Sequence, residues 1–315
     1  MEGGNQSGIS EFILLGLSDQ PEQQRLLLFL FLLMYLITGL GNLLIMMAIS
    51  CDPHLHTPMY FFLSNLSLVD IGFISTTIPK MLNNHISKNR TIPYAGCLTQ
   101  VFFFIWFGGI DSVLLAAMAY DRYVAICAPL HYSTIMTPRV CAFLVLMSWL
   151  WAYTNSLTHT VLLTRLSFCD HSKIPHFFCD LGSLLKLACS DTFINDLMFF
   201  TGGAITTILP FIGILISYGH IFMAVLRISS VSGKQKVFST CGSHLTVVCL
   251  FYGTIIGVYF SPTSTHTAQQ DTAATVMYTV VTPMLNPFIY SLRNKDMKGA
   301  LKMLITRKPG FTLRL

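Results

Sequence analysis

Seven long apolar runs, separated by short polar segments, set the pattern of this chain. A run of about 20 apolar residues forms a helix that crosses a hydrocarbon core about 30 Å thick. The predicted spans are residues 26 to 50, 58 to 80, 97 to 120, 139 to 163, 195 to 226, 237 to 260 and 271 to 292. The pattern therefore predicts an all-α fold, a seven-transmembrane helix bundle with its two termini on opposite sides of the membrane.

The polar segments between the spans indicate the orientation. Most of the 19 Lys and Arg residues fall on segments that are cytoplasmic if the N-terminus is outside, and the acids there are only Asp52, Asp121 and Asp296. The positive-inside rule therefore favours an extracellular N-terminus. The chain divides into an extracellular tail (1 to 25), a transmembrane domain (26 to 292) and a cytoplasmic tail (293 to 315). Apolar and Lys residues of the last tail fall on separate faces of a short amphipathic interfacial helix.

Composition agrees with a protein of the cell membrane that is embedded in the lipid bilayer. Hydrophobic residues make up 53% of the 315 residues and charged residues 10%, whereas a soluble domain carries about a quarter charged residues. The formal net charge of +5 comes from basic residues that flank spans, and they form no groove or stripe that indicates a nucleic-acid partner. Two Asn-X-Ser/Thr acceptors, at Asn5 and Asn89, lie on predicted extracellular segments, so we expect a glycoprotein.

The string MAYDRYVAIC, residues 118 to 127, ends the third span with an Asp-Arg pair. Arg122 can pair with Asp121, extend to water or contact a docking protein, and such competing partners suit a two-state switch. The alternative is that the pair only marks the end of a spanning helix. The ten-residue string resembles the inner end of the third helix in class A (rhodopsin-like) G-protein-coupled receptors, specifically in their olfactory branch.

Further strings extend the resemblance over essentially all seven spans. Residues 55 to 70 (LHTPMYFFLSNLSLVD) are similar to the pattern after the first inner loop, in the form of the tetrapod (class II) group. Residues 236 to 245 (KVFSTCGSHL) resemble the sixth-helix signature with Val237 replacing the usual Ala, and residues 283 to 294 (PMLNPFIYSLRN) resemble the seventh helix. The resemblance implies an odorant receptor that binds small volatile ligands and activates a heterotrimeric stimulatory (olfactory) G protein to raise cyclic AMP. The sequence shows no convincing hydrolase triad, phosphate-binding glycine loop or metal-spaced cluster, so we expect no enzymatic activity.

The resemblance also implies an inner switch that couples to the G protein. Its candidate residues lie towards the cytoplasmic side of the bundle: Asp121, Arg122, Tyr123, Tyr218, His244, Asn286, Pro287 and Tyr290. Physical reasoning alone leaves His244 as either a switch residue or a satisfied core histidine. Pro287 removes one backbone donor and is expected to kink its helix.

Small and aromatic residues occur together at one level in the upper halves of the third, fifth and sixth spans. Such residues can leave a cavity, and small residues equally let helices pack closely. The resemblance favours a cavity with an apolar lining and a few hydroxyl or amide groups. The candidate ligand-binding residues are Phe104, Ile105, Gly108, Gly109, Ser112, Asn155, Gly202, Gly203, Thr206, Tyr252, Ile255, Ile256 and Tyr259.

Asp70 and Asp111 lie at one depth, about 18 Å and 16 Å from the inner ends of their helices. Buried acids either share protons in a polar network, here with Asn42 and Asn286, or hold a cation. Both alternatives remain open; in class A receptors the acid that matches Asp70 helps to hold sodium, so a structural sodium ion is the one cofactor that the resemblance suggests. A rival interpretation makes these acids the path of an ion-conducting or transporting protein, but the chain shows no internal repeats.

Four of the nine cysteines lie on the extracellular side, where disulfides persist. They are Cys97, Cys169, Cys179 and Cys189. Four cysteines allow three connectivities. The resemblance implies the pairs Cys97 with Cys179 and Cys169 with Cys189, which would fasten the long segment between the fourth and fifth spans over the bundle.

Overall fold

The computed structural model of this protein describes residues 10–17, 20–169, 172–259, 273 and 275–306. Its helices are α1 (Pro21–Cys51), α2 (Pro58–Ser87), α3 (Tyr94–Cys127), α4 (Tyr132–Ile135), α5 (Pro138–Leu163), α6 (Leu181–Leu187), α7 (Phe193–Gly203), α8 (Leu209–Arg227), α9 (Val231–Tyr259), α10 (Thr282–Arg293) and α11 (Lys295–Thr306). One π-helical turn, Ala204–Ile208, joins α7 to α8, and a second, Met277–Val281, leads into α10.

These elements form the bundle of seven spanning segments. Among the described residues, five helical segments are long and apolar enough to cross a membrane: α1, α2, α3, α5 and the continuous segment Phe193–Arg227. The sixth is α9, with its apolar stretch Cys241–Gly257, and the seventh consists of the second π-helical turn and α10. Because α3 packs against α2, α5, α8 and α9, it runs through the centre of the bundle. The predicted seven-helix architecture is confirmed.

The helices extend beyond the predicted spans. α1 begins at Pro21 and α9 at Val231, ahead of the apolar runs that begin at 26 and 237. The apolar pattern marks the hydrocarbon layer, whereas a helix satisfies its own backbone and can continue into the interface. Proline occupies the first turn of α1, α2 and α5, where its missing N–H interrupts no helical hydrogen bond.

Pro287 interrupts α10 at the level where α10 contacts α1. A proline leaves the carbonyl four residues earlier without its helical donor, and here that carbonyl belongs to Pro283. Asn42 of α1 donates its Nδ2–H to the Pro283 oxygen at 3.5 Å and to the Thr38 oxygen at 3.1 Å. A Cβ placed on Gly41 would lie 3.0 Å from the Pro287 ring. The buried amide and the adjacent glycine therefore adapt α1 to the break in α10.

A small sheet, which the apolar pattern did not predict, covers the extracellular end. Its central strand β1 (Glu11–Leu14) pairs antiparallel with β2 (Thr91–Pro93) and parallel with β3 (Lys173–Ile174). Phe12 and Leu14 of β1 are buried in an apolar cluster that includes both Cys97 and Cys179. The region that the sequence presents as a polar tail thus contributes two core side chains.

At the cytoplasmic end, α11 is the predicted amphipathic helix. Met297 and Ala300 are buried, and Leu301 and Leu304 pack against the same core cluster. The Lys298 side of the helix is exposed. The helix packs its apolar face against α1 and leaves its basic face in the interface, as expected for an interfacial helix.

Candidate functional site

Two disulfides fasten the extracellular segment between α5 and α7. Cys179 is bonded to Cys97 in the first turn of α3, and Cys169 is bonded to Cys189, with Cα–Cα distances of 5.5 and 6.2 Å. This is the pairing that the family resemblance implies. The Cys179 N–H also donates to Gln100 Oε1 at 2.8 Å. The segment is therefore held down onto the outer end of α3.

A cavity of about 190 Å³ lies beneath this segment, between α3, α5, the first π-helical turn and α9. Its lining is mostly aromatic and aliphatic: Phe73, Phe104, Ile105, Gly108, Gly109, Asn155, His159, Leu181, Phe199, Phe200, Gly203, Ala204, Thr206, Thr207, Phe251, Ile255 and Tyr278. Leu181 comes from the disulfide-fastened segment itself. Both π-helical turns contribute, through Thr206 and Tyr278, so the irregular backbone of two spanning segments lies at this cavity.

Eight of the candidate ligand-binding residues lie in this lining: Phe104, Ile105, Gly108, Gly109, Asn155, Gly203, Thr206 and Ile255. The two adjacent glycines have different roles. A Cβ on Gly109 would lie 3.0 Å from the Ala152 Cβ, so this glycine allows α3 and α5 to pack closely. A Cβ on Gly108 would have only Phe73, at 3.6 Å, within 4 Å. Close packing and an open cavity, the two alternatives raised by the sequence, both occur, one at each residue.

Ser112 and Tyr252, two further candidates, are buried next to the lining and are bonded to each other: Ser112 lies one turn below Gly108 and Gly109 in α3, and Tyr252 follows Phe251 in α9. Ser112 Oγ donates to the Thr206 carbonyl at 2.9 Å and lies 2.8 Å from the Tyr252 hydroxyl. Because the serine hydroxyl has a single proton, the Tyr252 hydroxyl is the donor between them. The network joins α3, the first π-helical turn and α9 beneath the cavity.

The other three candidates do not line the cavity. Gly202 packs behind it, since a Cβ there would lie 2.8 Å from Asn155 Oδ1. Ile256 is 43% exposed, because one residue after Ile255 corresponds to a rotation of about 100° around the helix. Tyr259 ends α9, and its side chain lies outside the described residues.

Nine lining residues were not anticipated: Phe73, His159, Leu181, Phe199, Phe200, Ala204, Thr207, Phe251 and Tyr278. Helical periodicity could have identified several of them, among them Phe199, which precedes Gly203 by four residues in α7. His159 follows Asn155 by four residues in α5, and Phe251 precedes Ile255 by four in α9, so each shares a helix face with a predicted residue. Leu181, the first residue of α6, has no comparable local signal.

The polar side of the cavity is formed by Asn155 and His159. His159 is 4% exposed, and in the part of the chain that the structure describes neither of these two side chains has a hydrogen-bond partner. Buried polar groups are normally satisfied. The pair is therefore available to a molecule in the cavity, either as donor or as acceptor.

A second polar centre surrounds the two intramembrane acids. Asp70 and Asp111 are 1% and 4% exposed. Asn286 donates its amide to both oxygens of Asp70, at 3.1 and 2.8 Å. Among the described atoms, Asp111 Oδ1 and Asn286 Oδ1 have no partner. They face a void of about 10 Å³, which is about the space of one water-sized sphere.

At the inner end of α3, Arg122 is engaged by its own neighbour. Arg122 Nε donates to Asp121 Oδ2 at 3.0 Å, and the Tyr132 hydroxyl donates to Asp121 Oδ1 at 2.7 Å. Burial raises the pKa of the Tyr132 phenol, and its hydrogen bond to Asp121 raises that pKa further. The phenol therefore keeps its proton at physiological pH and remains a donor. Both oxygens of Asp121 are occupied.

His244 connects three helices. Its Nε2 lies 3.0 Å from the Leu115 carbonyl of α3 and its Nδ1 lies 2.8 Å from the Tyr218 hydroxyl of α8. A carbonyl only accepts, so Nε2 carries the proton and Nδ1 accepts from Tyr218. The ring is fully buried. It is a satisfied core histidine whose partners lie on two other helices.

The remaining switch candidates surround this contact. Tyr290 of α10 is 4% exposed, and its hydroxyl has no partner among the described atoms. The ring of Tyr123 lies 5.5 Å from that of His220 and packs on the apolar cluster of α8 and α9. Asn286 and Pro287 lie higher in α10, at the acids and at α1. In the part of the chain that the structure describes, the candidates thus form separate contacts on several helices.

Comparison with known proteins gives one consistent result. A family model described as "Olfactory receptor" matches residues 31–308. The chain is 62% identical to olfactory receptor 1f45 of Rattus norvegicus, over 98% of this chain and 99% of the relative, and 59% identical to olfactory receptor 1F1 of Homo sapiens, over 98% of each. Its fold is similar to that in the crystal structure of squid rhodopsin, with a TM-score of 0.71, 19% identity and coverage of 91% and 87% of the two chains. The chain therefore belongs to the olfactory receptor family of multi-pass, odorant-sensing G-protein-coupled receptors of the cell membrane.

Proposed function

We propose that this receptor binds its odorant in the cavity of about 190 Å³ and that the ligand is mainly apolar with one hydrogen-bonding group. The observation that supports this is an aromatic lining interrupted by one unpartnered polar pair, Asn155 and His159. An apolar protein cavity of about 150 Å³ accommodates benzene. The ligand is therefore a molecule somewhat larger than benzene.

The position of the polar pair limits the chemistry of the ligand. Asn155 and His159 are one helical turn apart on α5, so they can bind one ligand oxygen together. A ketone, aldehyde or alcohol group satisfies them. The described lining contains no Asp, Glu, Lys or Arg, so no permanent charge would be neutralised there.

The signalling partner in this proposal is a heterotrimeric stimulatory G protein, and the output is cyclic AMP. Arg122 lies at the cytoplasmic end of α3 and is 14% exposed in its side chain, so release from Asp121 makes its guanidinium available to a docking protein. The odorant shifts the bundle only as far as it binds the inner-open arrangement more tightly than the closed one. Members of this family are signalling receptors, and an enzymatic role is not proposed.

The void between Asp70 and Asp111 fits a sodium ion in its donor chemistry. Carboxylate and amide oxygens are hard ligands, and two of them, Asp111 Oδ1 and Asn286 Oδ1, lack partners. A bound cation would hold α2, α3 and α10 together at this level. The same oxygens also suit a protonated hydrogen-bond network without an ion. Agonist affinity that changes with sodium concentration would favour the bound ion, and affinity that does not change would favour the protonated network.

We also propose glycosylation of the extracellular acceptors. Asn89 is exposed on the loop between α2 and α3, and its Oδ1 accepts from the N–H of Thr91, the third residue of its own acceptor sequence, at 3.0 Å. Asn5 lies outside the described residues. A shift in mobility after glycosidase treatment, lost in Asn5→Gln and Asn89→Gln variants, tests each site.

The ligand proposal is tested by cyclic AMP responses to a broad odorant panel. Asn155→Leu and His159→Leu should lower the potency of alcohols and ketones about tenfold more than that of hydrocarbons of equal size, because each variant removes a buried hydrogen bond. Thr158→Val is the matched control, since Thr158 bonds only to its own helix, at Thr154, and is exposed. An equal loss for both odorant classes contradicts the proposal. Ion flux in receptor vesicles without G protein would instead support the rival ion-conducting function.

A further inference from the structure

A second, larger cavity of about 420 Å³ lies on the extracellular side, away from the odorant cavity. Its described walls are Leu14 and Gly16 at the end of β1, the first turns of α1, and the last turns of α2 with the loop that follows. Among the described residues, the two cavities have no lining residue in common. No role in odorant binding or G-protein coupling accounts for it.

Cationic side chains dominate the polar lining of this cavity. Arg25 of α1, Lys88 at the end of α2 and Arg90 in the next loop all line it, whereas its described lining holds no carboxylate. The Arg90 guanidinium also donates to the Leu15 carbonyl at 2.9 Å. The side chains of Arg25 and Lys88 have no hydrogen-bond or ion-pair partner in the ranges that the structure describes. Positive charge is therefore concentrated in a concave site, where it attracts anions.

Asn84 places an unsatisfied, buried amide oxygen at this cavity. It lines the cavity, is 8% exposed, and its Oδ1 has no partner among the described atoms. An unsatisfied buried amide is costly. Next to it, His85 donates its Nδ1–H to the Met81 carbonyl at 2.9 Å, which leaves Nε2 free. Both Asn84 Oδ1 and His85 Nε2 are acceptors, so they suit a water molecule or another donor, and a carboxylate is left to the cations.

The opposite side of the cavity is apolar. Leu28, Met81 and Phe177 line it, and Met81 and Phe177 are 2% and 1% exposed. An apolar base with a cationic rim is complementary to an amphipathic anion. We propose that this cavity binds a small organic anion, with one carboxylate between Arg25 and Lys88 and a short alkyl chain on Leu28 and Phe177.

The N-terminal segment completes the site. Gly16 has a φ of +78°, which glycine adopts without strain, and its N–H donates to the His176 carbonyl at 3.3 Å. This turn directs the chain from β1 along the cavity, and Leu14 and Gly16 both line the wall. A bound anion would therefore contact the N-terminal segment, α1 and α2 together.

Binding of radiolabelled octanoate to the purified full-length receptor in phosphatidylcholine nanodiscs tests this proposal. Octanamide, which has the same chain and no charge, should compete at least about tenfold less well, because it lacks the charge-assisted bonds. Arg25→Gln combined with Lys88→Gln should weaken octanoate binding at least about tenfold. Lys186→Gln is the matched control, because this exposed lysine lies on the same side of the membrane and does not line the cavity. Gly108→Leu, which fills the odorant cavity, should leave octanoate binding unchanged.

Three results would overturn the proposal. Octanamide could compete as well as octanoate, the double Gln variant could bind octanoate as tightly as the wild type, or Lys186→Gln could lose as much octanoate binding as the double Gln variant. The charge-retaining pair Arg25→Lys with Lys88→Arg should bind as the wild type does, and a loss there as large as in the Gln pair would show that charge is not the cause. If the double Gln variant is not recovered, each single Gln variant should still weaken binding severalfold, and unchanged binding in both contradicts the proposal. Nanodiscs with phosphatidylglycerol distinguish the source of the anion: competition identifies a lipid headgroup at this site, and unchanged affinity a soluble acid.

Discussion

Replacement of His244 by Phe gives the sharpest test of the inner switch. Phe retains the ring volume and the stacking on Tyr218, whose ring centre lies 5.7 Å from that of His244. It deletes both hydrogen bonds, to the Leu115 carbonyl and to the Tyr218 hydroxyl. The change therefore removes polar connections between α9, α3 and α8 with little change in packing.

The energetic effect can be worked out bond by bond. The Tyr218 hydroxyl loses its acceptor in a half-buried position, which costs about 1 to 3 kcal/mol. The Leu115 carbonyl keeps its bond within α3, so its loss is smaller, about 0.5 to 1.5 kcal/mol. A total of about 1.5 to 4.5 kcal/mol changes an equilibrium roughly 10- to 2,000-fold. If these contacts belong only to the closed arrangement, the open arrangement gains that factor.

Basal cyclic AMP, normalised to surface receptor, measures this shift. We expect His244→Phe to signal without odorant. Thr246→Val is the control, because Thr246 is exposed and bonds only to Gly242 of its own helix, and it should match the wild type. Basal cyclic AMP in His244→Phe equal to that of the control, with unchanged odorant potency, would refute the reasoning and leave His244 a purely structural residue.

Three other changes address the disulfide-fastened extracellular segment, the odorant cavity and the G-protein contact. Cys97→Ser or Cys179→Ser should abolish surface expression or odorant response, because the extracellular segment loses its attachment to α3. Surface labelling and cyclic AMP responses measure this. Normal responses from both variants would exclude a role for the disulfide. Gly108→Leu should lower the potency of large odorants most, because the leucine side chain would occupy the cavity. Dose–response curves measure this. An equal loss of potency for small odorants would contradict the placement of Gly108 in the cavity wall. Arg122→Ala should retain odorant binding, because Arg122 lies about 20 Å below the cavity, but it should suppress cyclic AMP signalling. Wild-type signalling by surface-expressed Arg122→Ala would support the alternative that Arg122 only marks the end of a helix.

The bundle and half of the odorant cavity could be predicted from sequence for local reasons. Apolar runs must be long enough to cross the bilayer, and helical spacing places residues such as Phe104 and Gly108 on one face. With the same spacing, an error of one residue places a side chain on a different face of the helix, as Ile256 shows. Ile256 follows the lining residue Ile255 by one position and lies on the exposed side of α9.

Features that depend on distant segments could not be predicted in this way. The sheet forms because β1 lies between β2 and β3, and those two strands are 80 residues apart in the chain. Leu181 reaches the odorant cavity because the neighbouring Cys179 is bonded to α3. The π-helical turn before Pro210 likewise has no signature in hydropathy, since its backbone widens without a change in apolar character.

In the proposed function, helix α9 is the element through which ligand and G protein influence each other. Phe251 and Ile255 line the odorant cavity, Tyr252 bonds to Ser112 directly beneath it, and His244 bonds to Leu115 about 12 Å further along the helix. Both bonds join α9 to the same partner, α3. A ligand that displaces the upper part of α9 must stretch the Tyr252 contact first and, if the helix moves as one body, the His244 contact with it. Coupling then requires no chain of side chains between the two sites, because a rigid helix with two arrangements is biased from either end.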